Sequence, residues 1–145
     1  MSEAVKGLWN TGEVSMYGVF EAKFNTKKAE EMIKALKELV GSRSIVRVAS
    51  VSGDIVRVEL VDGKVIEVPL RDVPFFMGNI FSKIAYVVGK ISWNHLVTKR
   101  MIVMSEVGRE VSVEKIKMSS EIEVEVEEAV SIMDAILSVV KGVQV

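Results

Sequence analysis

Three carboxylates near the C-terminus have a spacing at which they could hold a hard cation. Glu121, Glu125 and Glu128 stand at positions i, i+4 and i+7, so on one helix they share a face. Oxygen ligands of this kind suit Ca²⁺ or Mg²⁺. No Asp-x-Asp-x-Asp-Gly loop accompanies them, and a solvated acidic face is the commoner role of such a charge run. We therefore predict no metal, and we interpret the three residues as an acidic surface that faces basic groups.

Nucleophilic, zinc and nucleotide chemistry find little support in the sequence. The single histidine is His95, and the chain contains no cysteine. A Ser-His-Asp site needs three groups, of which the sequence identifies only the histidine. One imidazole with carboxylates is a poor zinc set. No glycine-rich run ends in Lys-Ser or Lys-Thr before a helix, as a phosphate-binding loop requires. We predict a non-enzymatic protein with no catalytic residues, no metal and no cofactor.

Cations and aromatic side chains are mixed in the segment 83–100. The residues predicted as possible contacts to a partner or to nucleic acid are Lys83, Lys90, Trp93, His95, Lys99 and Arg100. Such mixtures neutralise phosphates and stack on bases. The positive charges are sparse, however, and a pI of about 5.9 is far from that of a typical basic nucleic-acid binder. Nucleic acid is therefore the less favoured partner.

The charge distribution along the chain is polarised although the net charge is only −1. Residues 73–105 contain four basic residues and no Asp or Glu, whereas residues 106–145 contain nine acidic and four basic residues. Charge asymmetry bears on partners rather than on fold. We expect the basic segment to face the acidic one, within one chain or across a dimer, so that the charges set register and partner choice.

The composition predicts one soluble domain that is unusually rich in apolar residues. The 145 residues are 49% hydrophobic, with a mean hydropathy of +0.31, which is rich for a soluble domain. The surplus requires a thick core, a subunit interface or an apolar pocket. No run reaches the roughly 18 apolar residues of a membrane span, and the N-terminus does not read as a signal peptide. We predict a cytoplasmic protein. Scarce amides, absent cysteine and abundant Glu, Lys, Val and Ile are typical of a thermophilic, archaeal-like source.

The first half of the chain predicts a strand over 17–24, then a helix and three strands. The helix over 27–40 has an apolar stripe, an N-cap at Asn25 or Thr26, and Gly41 at its C-terminal end.

The three strands lie near 44–51, 54–60 and 64–70. A three-residue loop with left-handed Gly63 joins the last two of these, and it sets Arg57 opposite Glu67.

The second half leaves two alternatives open. Helical spacing predicts a helix over 73–88 that is apolar almost all round, although 83–91 also alternates like a strand. Strands over 91–104 and 109–118 follow, joined by a turn at Glu106-Val107-Gly108. The final segment favours one helix over 121–141, and its first six residues retain a strand alternative.

These elements predict an α+β fold with one antiparallel sheet of about five to six strands. Their order is β-α-β-β-β-α-β-β-α, with helices packed on one face and a long C-terminal helix. Residues 1–14 are an N-terminal arm, and 15–145 form a single domain. A sheet wrapped on a long C-terminal helix resembles the helix-grip lipid carriers. The order over 16–88 resembles the small subunits of a tRNA-modifying complex. Neither resemblance carries over a residue.

The sequence favours a non-enzymatic binding or assembly protein that acts as a homo-oligomer, with a dimer preferred, or through a protein partner. One alternative is a carrier of a small hydrophobic molecule in a pocket between the sheet and the C-terminal helix. Another is an accessory protein that binds nucleic acid through the segment 83–100.

Overall fold

The computed structural model describes residues 9–14, 20–97 and 104–142. Within these ranges the chain forms seven strands and four α-helices. In chain order they are β1 Trp9–Val14, β2 Phe20–Phe24, α1 Thr26–Val40, β3 Val46–Ser52, β4 Ile55–Leu60, β5 Val65–Pro69, α2 Val73–Val97, α3 Met104–Ser112, β6 Lys115–Lys117, β7 Glu123–Glu125 and α4 Val126–Lys141, with a 3-10 turn at Leu70–Asp72.

The strands pair in three separate antiparallel sheets. β1 pairs with β2, the middle sheet has the order β3-β4-β5, and β6 pairs with β7. The predicted α+β class and antiparallel pairing are confirmed, whereas the single sheet of five to six strands is wrong. The reason is that most of the two long strands predicted after position 90 is helical where the structure describes it. Strand β1 lies inside the predicted N-terminal arm.

Helix α1 and the hairpin formed by β4 and β5 agree with the predictions. Helix α1 begins after Asn25, whose side-chain oxygen accepts from the Lys28 N–H at 3.0 Å. It ends at Gly41 with φ 85°. In the hairpin Arg57 lies opposite Glu67, and Gly63 has φ 91°. Short-range signals are sufficient for both elements.

Helix α2 is longer than predicted and replaces the start of the strand expected over 91–104. It continues to Val97 because its inward apolar stripe continues, with Ile84 and Ile91 both buried. Gly89 lies on the exposed side, where a glycine weakens a helix by only about 1 kcal/mol. The open question over 83–91 is thus resolved in favour of a helix. The rest of the predicted strand, 98–103, lies outside the described residues.

Helix α3 occupies the predicted turn at 106–108 and the first four residues of the predicted strand over 109–118, within which Lys115–Lys117 form β6. Val107 and Val111 are fully buried at helical spacing. Gly108 does not mark a turn. A Cβ at that position would overlap the Leu39 carbonyl oxygen, so the glycine permits α3 to lie against the backbone of α1.

The C-terminal segment combines both alternatives left open by the sequence. Residues Glu123–Glu125 form β7 opposite β6, and the helix begins only at Val126. Glu128 accepts from the Glu125 N–H at 2.9 Å, which stabilises the start of α4. The prediction that Glu121, Glu125 and Glu128 occupy one helix is therefore wrong.

Helix α4 is the centre of the core. It contacts α1 on one side and the inner face of β3 and β4 on the other, so helices cover one face of the middle sheet. Ile132, Met133 and Ile136 are fully buried on it. Among the described helices, none combines the length and apolar character needed to cross a bilayer.

Candidate interaction surface

The outer face of α2 exposes two large aromatic side chains. Tyr86 is 72% exposed and Trp93 is 66% exposed. They are seven residues apart, so they lie on the same side of a helix whose opposite side is buried. Lys83 and Lys90 lie at helical spacing beside them and are also exposed. We call Lys83, Tyr86, Lys90 and Trp93 the α2 outer face. Tyr and Trp exposed to this extent are typical of contact surfaces, where they are enriched.

The cations of the α2 outer face are not neutralised by acids on their own helix, because α2 contains no Asp or Glu. Lys83 Nζ donates to the Lys117 carbonyl oxygen at 2.7 Å, which holds that ammonium beside β6. Lys90 forms no ion pair with the residues that the structure describes. The face is therefore cationic and aromatic at once.

Three of the six residues predicted as partner contacts thus lie on one face, namely Lys83, Lys90 and Trp93. His95 lies in α2, but its side chain is outside the described part of the structure. Lys99 and Arg100 also fall outside the described residues. Tyr86 completes the face but was not among the six predicted contacts. Its helical spacing from Lys90 and Trp93 is the sequence signal that indicates it.

The predicted acidic surface has partners elsewhere. Arg43 Nη2 contacts Glu125 at 2.6 Å and Glu128 at 3.1 Å, and Arg43 Nε contacts Glu127 at 3.1 Å. Glu121 is exposed in the bend before β7. One guanidinium in the loop after α1 therefore contacts three carboxylates at the start of α4.

A backbone hydrogen bond of Arg43 and a side-chain hydrogen bond of its neighbour Ser42 hold Arg43 in that position. Its N–H donates to the Glu127 carbonyl oxygen at 3.1 Å, and the neighbouring Ser42 hydroxyl is hydrogen-bonded to the Ser131 hydroxyl at 2.8 Å. Sequence reasoning missed this residue. Its partners lie more than 80 positions away, and no local pattern indicates a contact over that separation.

Other acids of the C-terminal segment also have basic neighbours outside α2. Asp134 pairs with Lys37 at 2.7 Å, and Lys117 and Glu123 face each other across β6 and β7. Asp134 thus contacts the N-terminal half, and Glu123 faces β6.

A cleft lies beside the free edge of β5. Its volume is about 440 Å³, and its walls are β5, the first turns of α2 and the residues Met118 and Ser119. The pocket predicted for a hydrophobic ligand was placed elsewhere, between the sheet and the C-terminal helix. Where that pocket was predicted, Ile132, Met133 and Ile136 of α4 are fully buried.

No group of three acidic or histidine side chains suited to a metal occurs within the described ranges. The carboxylates of Glu125, Glu127 and Glu128 all contact the Arg43 guanidinium. No family model, curated protein or solved structure matches this chain. The assignment of function therefore rests on the surfaces themselves.

Proposed function

We propose that this chain is a non-enzymatic binding or assembly protein that acts as a homodimer, with the α2 outer face as its contact surface. The observation that carries the proposal is the exposure of Tyr86 and Trp93 on one acid-free helical face. Aromatic residues contribute most of the binding energy at many interfaces when they become buried.

The spacing of the α2 outer face is self-complementary. Lys83, Tyr86, Lys90 and Trp93 follow one another at intervals of three, four and three residues. Suppose that a second copy lies antiparallel on this face, with the twofold axis crossing α2 at the level of residue 88. Each cation then lies opposite an aromatic ring. Lys83 then faces Trp93 of the second copy, and Tyr86 faces Lys90. An isologous interface of this kind needs one patch that complements itself.

The energetic argument combines cation–π contacts with burial of the rings. A lysine over an aromatic face contributes about 0.5–2 kcal/mol, depending on desolvation. Twofold symmetry repeats both contacts. Gly89 flanks the pairs with open space around it, so two helices can approach closely there. The acidic surface is not needed for this pairing, because two of its three carboxylates, those of Glu125 and Glu128, already contact Arg43.

Sedimentation equilibrium tests the proposal. The wild-type chain should sediment as a dimer at micromolar concentration, and the double variant Tyr86→Ala/Trp93→Ala as a monomer. Val113→Ala is a control, because Val113 is 62% exposed but follows α3 and is not part of the α2 outer face. A wild-type monomer, or a dimer that survives the double substitution, would contradict the proposal.

Salt separates this interface from one made of ion pairs. A dimer held by exposed ion pairs dissociates as ionic strength rises, because the Debye length falls to about 3 Å at 1 M salt. We expect the aromatic interface to persist at that concentration.

Nucleic-acid binding is the second candidate, since the same aromatic and cationic side chains could stack on bases and neutralise phosphates. Titration with a single-stranded oligonucleotide at low salt distinguishes the two candidates. Binding that weakens steeply with salt and is lost in Lys83→Glu/Lys90→Glu supports this candidate. An absence of binding at low salt eliminates it.

A further inference from the structure

One edge of the middle sheet has backbone groups that form no hydrogen bond with the part of the chain that the structure describes. Leu60 N–H donates to the Lys64 carbonyl oxygen at 2.8 Å, and Leu70 N–H donates to the Asp54 carbonyl oxygen at 2.6 Å. Hydrogen-bonded pairs alternate along an antiparallel ladder. The backbone groups of Val65, Glu67 and Pro69 therefore point away from β4.

The outward groups of Val65 and Glu67 form no hydrogen bond with the described residues, and β5 pairs with β4 alone in that part of the chain. Val65 and Glu67 each present one N–H and one carbonyl oxygen. Pro69 presents only a carbonyl oxygen, so it ends the pairing edge. An edge strand of this form is a template for one more strand.

The cleft described above lies along this edge and provides room for the added strand. Its wall opposite β5 consists of Phe75, Phe76 and Met118. A strand beside β5 presents alternate side chains to the two faces of the sheet. One set would lie against this apolar wall, and the other set would lie beside the Glu67 carboxylate on the outer face.

The charge of the cleft selects the chemistry of the occupant. Its lining includes the carboxylates of Glu67 and Asp72 and contains no Lys or Arg. Glu67 forms no ion pair among the described residues, although Arg57 is opposite it in the ladder. A cationic side chain on the added strand would therefore meet the Glu67 carboxylate, which has no partner within ion-pair distance among the described residues.

We propose that the β5 edge and its cleft bind an extended peptide segment of another protein, in which apolar and basic residues alternate. The peptide adds a strand to the middle sheet through the backbone groups of Val65 and Glu67. Its apolar side chains pack against Phe76 and Met118, and its basic side chains face Glu67. Strand addition of this kind takes affinity from the main chain and specificity from alternate side chains. This site does not involve the α2 outer face, and a monomer would retain it.

The test uses synthetic capped peptides with the pattern Val-Lys-Val-Lys-Val, and calorimetry on the full chain. We expect saturable binding with one site per chain. The matched peptide with Glu in place of Lys should bind at least about tenfold more weakly because its charge is reversed. A Val-Lys peptide methylated on alternate backbone nitrogens should not bind, since it cannot donate to the edge.

The protein variants make the location of the site falsifiable. Glu67→Lys should weaken binding of the Val-Lys peptide about tenfold, whereas Glu38→Lys, an equal charge change on exposed α1, should not. Both side chains are exposed, so both variants should remain folded, and Glu67→Lys should lower the melting temperature slightly because it sets two cations opposite each other across β4 and β5. In hydrogen exchange the peptide should protect the amides of Val65 and Glu67. No binding, equal binding of the methylated peptide, or protection elsewhere would overturn the proposal.

Discussion

At the scale of single residues, Arg43 forms ion pairs with three carboxylates. It joins the loop after α1 to the start of α4 by contacts to Glu125, Glu127 and Glu128. Its side chain is 53% exposed, but that of Glu128 is only 16% exposed. The network is therefore partly shielded from solvent, and its loss leaves half-buried carboxylates close together without a cation.

Replacing Arg43 should destabilise the chain more than replacing a comparable exposed arginine. We expect Arg43→Ala to lower the free energy of unfolding by about 1–2 kcal/mol. Arg43→Lys should recover part of this loss, because lysine keeps the charge but not the fork that contacts several oxygens. Urea unfolding measures both changes.

Arg47→Ala is the matched control. Arg47 is 68% exposed and meets Glu59 alone, at 3.4 Å. Its replacement should cost less than about 0.5 kcal/mol. Equal losses for the two alanine variants would show that the three-carboxylate contact does not stabilise the fold.

At the scale of elements, the close contact between α1 and α3 depends on a glycine. Gly108 is buried in α3 and lies against the Leu39 backbone carbonyl, where a Cβ would overlap the oxygen. A backbone carbonyl cannot rotate away as a side chain can. The two helices would have to separate to admit a methyl group.

Gly108→Ala should therefore lower the melting temperature although alanine is the better helix former. We expect a loss of about 1–3 kcal/mol from this overpacking. Gly89→Ala is the matched control, because Gly89 is also helical but has open space around it. That substitution should stabilise the monomer by up to about 1 kcal/mol. Thermal unfolding at a dilution that disfavours dimers compares the two, and two stabilising substitutions would contradict the packing described for α3.

The contrast between these elements explains how far the sequence predicts the fold. Asn25 caps α1 and Gly63 ends a hairpin loop through contacts within four residues; the sequence predicted the cap at Asn25 or Thr26 and the loop glycine at Gly63. Gly108 carries the same local signal as a turn glycine, but its role depends on Leu39 in a distant helix. Helix α2 extended past Gly89 because tertiary burial outweighed a local stop signal.

At the scale of the whole molecule, the core is organised around α4. Met133 is fully buried between α1 and the middle sheet, and Val113 is 62% exposed after α3. Met133→Ala should lower the free energy of unfolding by about 2–5 kcal/mol, because it creates a cavity in a filled core. Val113→Ala should change it by no more than about 0.5 kcal/mol. A small effect of Met133→Ala in urea unfolding would mean that α4 is not the central packing element.

The candidate surface was only partly predictable from sequence. The spacing of Lys83, Lys90 and Trp93 indicated a shared cationic and aromatic segment, although the segment was assigned partly to a strand. The opposing acidic surface was inferred from charge totals and from the helical spacing of Glu121, Glu125 and Glu128. Charge totals cannot show that Arg43 lies among those carboxylates, because that contact forms only in the folded chain.

The central claim is that two α2 outer faces pair antiparallel, and single-cysteine cross-linking tests it most directly. The natural chain has no cysteine, so each variant carries one thiol. Gly89→Cys places that thiol on α2 beside the proposed twofold axis, and Val113→Cys places an exposed thiol after α3, outside the α2 outer face. Under mild oxidation at micromolar concentration, we predict rapid disulfide-linked dimers for Gly89→Cys and slow ones for Val113→Cys. Equal, slow cross-linking of both variants would contradict the account.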